Sequence, residues 1–322
     1  MICSGINEQN PGRAGYTTMV RRYAGRWKDR FWEIDFLRGL CVVLMVFDHF
    51  MYCLWDVMPV INGVLGTSLF DGLRPFALEY WNWDLRNNVR EVVILLFFLL
   101  CGVSCTLTRG NFRRFIPLAL VAAGLSAVTS VLSELTGSNM TIFFGVIHMI
   151  AAGVLLYAVI DNAAQAVGGA LPQRCGRARF ALRLLPGLVG VGLLAAYFAL
   201  WGDWYAASPW HFVSTYTPPE GLSDGQKIFQ SVFIELRGFR IERFYGGDYF
   251  PVLPYAAFIL IGGLVGMFAY HTRARWAFSR LNGAWNSGLC FFGRHAAVIY
   301  IAHMVVIPAV LAILAAASLL FS

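Results

Sequence analysis

Seven apolar runs, each about 17 to 25 residues long, constrain this chain more than any other feature, because that length lets a helix cross the hydrocarbon core of a bilayer. They fall at roughly 36–56, 92–108, 115–135, 142–160, 184–202, 250–270 and 295–320, and the second is the shortest. With 58% hydrophobic and 13% charged residues among 322, the composition excludes an ordinary soluble domain. Backbone polar groups in lipid must pair within a segment or in a closed barrel, and runs of this length suit helices. The expected fold is all-α, a polytopic transmembrane helical bundle of about seven spans.

Basic residues orient the bundle. A cytoplasmic N-terminus puts 18 of the 25 Lys and Arg residues on the cytoplasmic side, which is the usual bias of cytoplasmic loops. The net charge of +7 then follows from membrane orientation. No basic and aromatic segment stands apart as a nucleic-acid footprint. Residues 1–30 read as a flexible basic cytoplasmic segment without a secretory signal, and 31–322 as a single transmembrane domain in the cell (cytoplasmic) membrane. Two external connections, about 57–91 and 203–249, carry the extramembrane content. The second is rich in aromatics and reads as an ordered cap over the outer mouth, while 271–294 mixes Arg and Trp and reads as lying along the cytoplasmic interface. Seven cysteines without a paired CxxC read as small buried hydrophobes, so no metal is expected.

Chemistry concentrates in the first run, EIDFLRGLCVVLMVFDHFMYCLWD. On a straight α-helix Arg38 and His49 lie within about 20° of one face and about 16 Å apart along the axis. Asp35, Met45, Tyr52 and Asp56 fall within roughly 60° of that line, so one polar stripe runs down an otherwise apolar helix. Titratable groups at membrane depth are costly and mark a pathway or reaction centre. His148 in the fourth run and His303 in the seventh, with Tyr300 on nearly the same face, add to the set. The same His, Asp and Arg set would also suit a proton-coupled transporter, although no inverted repeat is visible. A receptor or structural membrane protein is a third reading.

Asp35, Arg38, Gly39 and His49 resemble the first-helix signature of the transmembrane acyltransferase superfamily. In order along the chain, RFWEIDFLRGLCVVLMVFDHF, FFGVIHMIAAGVLLY, DYFPVLPYAAFILIGGLVG and FFGRHAAVIYIAHMVV resemble bacterial members of the heparan-alpha-glucosaminide N-acetyltransferase catalytic-domain family. That resemblance implies transfer of an acetyl group from cytosolic acetyl-CoA, as co-substrate, to a sugar amine on the far side of the membrane. Eukaryotic members carry an Asn near the position of His49 and a catalytic His further toward the lumen. Here no His follows before His148.

The residues fit such chemistry. An imidazole near its ordinary pKa serves as a base at neutral pH or as an acetyl carrier, and His49 is the candidate for either role. Asp56 and Asp48 complete the catalytic candidates, although Asp48 points about 100° away from His49 on a straight helix. For CoA phosphates the candidates are Arg38, Arg109, Arg294 and His295, with Arg113 and Arg114 reading better as positive-inside determinants. For the acceptor they are Tyr52, Asp248, His148, Tyr300 and His303. Asp248 is placed to pair with a sugar ammonium or to cap a helix. Gly102 and Ser104 read as small residues for close helix packing. O-acetylation of a cell-envelope glycan stays open beside N-acetylation, as does a homodimer. Lipid is the expected surrounding.

Overall fold

The computed structural model describes residues 31–108, 110–136, 141–172, 175–203, 213–239, 248–271, 281 and 283–320. The segment 1–30, read as a cytoplasmic lead, and Arg109 lie outside the described residues. The helices are α1 (Trp32–Tyr52), α2 (Met58–Leu65), α3 (Arg74–Asn82), α4 (Asp84–Leu107), α5 (Asn111–Thr136) and α6 (Val146–Ala170). They continue with α7 (Gly176–Arg183), α8 (Leu185–Leu200), α9 (Asp224–Phe233), α10 (Val252–Tyr270), α11 (Ser287–Arg294) and α12 (Ala296–Ser318). Two strand pieces of two residues each, β1 (Gly202–Asp203) and β2 (Val213–Ser214), form an antiparallel pair. Six helical stretches are long and apolar enough to cross a membrane, and α7 with α8, bent by 44°, makes a seventh if the pair is one span.

The bundle departs from the sequence expectation at its first connection. Residues 57–91 are largely helix. A π-helical turn, Cys53–Val57, joins α1 to α2, so one stretch of 34 residues runs from Trp32 to Leu65. Helix α4 begins at Asp84, eight residues before the second apolar run, because Asp84, Arg86, Arg90 and Glu91 hide the helix from a hydropathy reading without breaking it. The π turn also overturns the straight-helix angles beyond Tyr52, since a wider turn rotates every later side chain around the axis.

Close helix approach holds the core together. A Cβ at Gly102 of α4 would overlap the Ile259 carbonyl of α10, and one at Gly262 would overlap the Leu99 carbonyl, so only glycines let these two backbones meet. Around that crossing pack Phe98, Met149, Val154, Tyr157, Ile259 and Leu260, all buried. A second crossing joins α11 to α1, where side chains at Gly39 or Gly293 would strike the Leu289 and Asp35 carbonyls. Within 271–294, α11 is therefore packed against α1, while Trp285 before it stays exposed. Along α12 the buried residues Ala296, Tyr300, His303, Leu311 and Ala315 form one face, while Val298, Ile301, Val305 and Ile313 are exposed. Apolar residues outward and titratable ones inward is the pattern of a membrane helix lining a functional interior. In the second connection, the described residues around α9 pack Ile234 and Leu236 against Tyr197 of α8.

Candidate functional site

Four of the sequence candidates meet inside the bundle. His49 of α1 and His303 of α12 stand edge to face, with ring centroids 4.7 Å apart and planes at 84°. Tyr300, one turn before His303, lies 5.6 Å from it, and its hydroxyl donates to Asp248 Oδ2 at 3.4 Å. His49 is close enough to Asp248 to act on its charge, as is Arg90 of α4.

The hydrogen bonds assign the imidazole tautomers. His49 Nδ1 lies 2.9 Å from the Met45 carbonyl oxygen and His303 Nδ1 lies 3.1 Å from that of Ile299. A carbonyl only accepts, so both Nδ1 atoms carry hydrogen and both neutral rings keep a lone pair on Nε2. His303 is 5% exposed, and its Nε2 is buried without a hydrogen-bond partner among the described residues.

His148 is a contrast. Its Nδ1 accepts from the Gly145 N–H at 3.3 Å, and its Nε2 donates to Ser126 Oγ at 2.9 Å, with Ser126 donating on to the Ile142 carbonyl. Both nitrogens are used in holding the start of α6. An apolar groove of about 380 Å³ between α5 and α6 touches His148, and with both ring nitrogens engaged it offers no reactive group.

Asp248 caps a helix, but not the one it precedes. Its Oδ2 accepts the Val146 N–H at 3.0 Å, at the first residue of α6, where the helix dipole favours negative charge. A side chain at Gly145 would overlap that oxygen, so glycine is required for the carboxylate to reach the helix end. Burial pushes the Asp248 carboxyl above its ordinary range, and the Val146 N–H, His49 and Tyr300 oppose the shift.

The remaining candidates are engaged elsewhere. Asp48 is held by Arg86 of α4, whose Nε and Nη2 donate to its two carboxylate oxygens at 2.6 Å each, and Tyr80 of α3 donates to it at 3.2 Å. Arg86 also lies 3.8 Å from the Trp81 ring centre. The Asp48 carboxylate thus clamps α1 to α3 and α4, and nothing links it to the His49 ring. Tyr52 precedes the π turn that carries Asp56, and its ring lies 5.3 Å from that of Trp81 at a tilt of 44°. Arg38 donates to Ser104 Oγ and to the Leu100 carbonyl, so Ser104 serves as an arginine partner as well as a small packing residue. Arg38 and Arg114 both act on the Cys101 thiol, while Arg294 and His295 bond the carbonyls of Cys290 and Phe291 at the end of α11. No group of three or more His, Cys, Asp or Glu suited to a metal occurs among the described residues.

Sequence reasoning missed Arg86, Arg90 and Ser126. The two arginines are four residues apart in a charged stretch read as a loop, and a helical spacing test across 84–91 would have placed them on one face. Ser126 carried no signal.

A family model for the catalytic region of heparan-alpha-glucosaminide N-acetyltransferase matches residues 30–305. The chain belongs to that family. The match spans His49, Asp248, Tyr300 and His303, so the heparan-alpha-glucosaminide N-acetyltransferase region includes every member of the cluster. Membership makes this a membrane acetyltransferase by class. No curated protein and no solved structure matches the chain significantly.

Proposed function

We propose that the chain transfers an acetyl group from cytosolic acetyl-CoA to the amine of a glucosamine-type sugar on the extracytoplasmic side of the cell membrane. The observation that carries this is the free Nε2 of His49 beside a half-buried Asp248 and the buried Tyr300 and His303. One helix links that cluster to the Arg38 end, on the order of 16 Å away along the axis. Arg38 and Arg294 supply permanently charged donors for the CoA phosphates at that end. The thioester of an anchored CoA then reaches His49, and the acceptor enters past Asp248, whose carboxylate attracts an ammonium group. His49 is the catalytic imidazole.

Labelled acetyl-CoA and glucosamine, given to the purified protein in detergent, test donor, acceptor and class together. In His49→Ala, CoA binding measured by calorimetry is expected to persist while transfer falls by about 10² to 10⁴. Transfer at the parent rate by a folded His49→Ala protein removes His49 from the mechanism.

A further inference from the structure

We infer that His303 is a second catalytic imidazole, paired with His49 so that one ring takes the proton from the attacking nitrogen while the other returns a proton to the departing sulfur. The inference rests on the acetyl-transfer reading above and assigns a role that reading leaves open.

A histidine that only fills a helix interface satisfies both ring nitrogens, because an unpaired buried polar atom is costly. His148 does so in this same protein, through Gly145 and Ser126. His303 does not. Its Nδ1 is spent on its own helix, and its Nε2 is buried without a partner, in a ring 4.7 Å from that of His49. An unsatisfied polar atom beside a reactive group is what a site leaves open for the group it will meet.

Two imidazolium rings at that separation repel each other in a medium of low dielectric, so the pair carries at most one added proton at a time. A charged His303 would need an acceptor for Nε2–H, and none is present among the described residues. His303 is therefore the neutral member until a substrate nitrogen stands at its Nε2. When the pair takes up a proton, His49 is the ring placed to hold it, being half-buried and within reach of Asp248. The other groups facing the pair are Tyr300 on α12, which is bonded to Asp248, and Arg90 on α4, which acts on Asp248.

The step balances on these groups. The neutral amine nitrogen forms a bond to the acetyl carbon, and its proton passes to His303 Nε2. The carbon–sulfur bond breaks, and the sulfur leaves as the thiol by taking the proton held on His49. The pair begins and ends with one proton, now on His303, and its return to His49 resets the site.

The test combines chemical rescue with ring titration. His303→Ala is expected to lose about 10² to 10⁴ of the transfer rate with CoA affinity kept, and added imidazole is expected to restore part of it. His303→Phe, which refills the volume, stays inactive with or without imidazole. Parent-level transfer by a folded His303→Phe protein overturns the proposal and leaves His303 a packing residue. If the parent transfers no acetyl group to glucosamine, the acceptor reading fails, and the pair is judged by nitrogen-15 spectra of the histidine rings. Coupling requires the His303 titration to move to higher pH in His49→Phe than in the parent. An unmoved His303 titration overturns the pairing whatever the acceptor is.

Discussion

Asp248 shows how one carboxylate ties packing to the site. It takes a backbone N–H from α6 and a hydroxyl from α12, and it does so in surroundings that favour its neutral form. A raised folded value means the folded protein holds this proton more tightly than the unfolded chain does, so ionising Asp248 works against folding. The stabilisation is full below the ordinary carboxylate range and is lost as pH rises through the raised value. Thermal unfolding in detergent between about pH 4 and 7 is expected to show parent stability declining relative to Asp248→Asn as pH rises, since Asn cannot ionise. Parallel curves for the two proteins would deny Asp248 that part. Whether this residue caps a helix was legible in the sequence. Which helix it caps was not, because Val146 precedes it by 102 positions and only the packed bundle brings the two together.

Among the elements, the α4–α10 crossing depends most directly on residue size. Gly102→Ala places a methyl group against the Ile259 backbone, which cannot yield as a flexible side chain can, so a loss of about 1 to 3 kcal/mol is expected, as for other overpacked interiors. Gly124→Ala on α5 meets nothing within 4 Å and is the control, with stability unchanged or slightly raised. Melting temperatures of the two variants in the same detergent decide the matter. Equal melting temperatures would show that the crossing is looser than its backbone contacts imply. Gly102 was readable as a packing residue from its place in an apolar run. The π turn at Cys53–Val57 was not, because local composition there is that of any apolar helix, and Asp56 was placed by an angle that a wider turn does not keep.

For the whole molecule, the distribution of basic residues makes a direct statement about sidedness. Cysteine introduced at Ser223, before α9, is expected to react with an impermeant thiol reagent from outside intact cells, and Cys175, before α7, is expected not to. The reverse pattern would invert the bundle and the proposed direction of transfer. The sequence by itself determined the all-helical membrane architecture and the first-helix stripe of Arg38 and His49. Run length and intrahelical spacing are properties of one segment and need no partner. Membership of the family was equally visible, in four ordered blocks that the family match spans. Only the tertiary structure decided which polar groups share a site. It took Asp48 into a clamp with Arg86, spent the nitrogens of His148 on Gly145 and on Ser126 of α5, and set His303 beside His49. Apart from the local His148–Gly145 bond, those pairings join residues 22 to 254 positions apart, and a helix face specifies only that a residue points inward, while the packing of several helices specifies what it meets there.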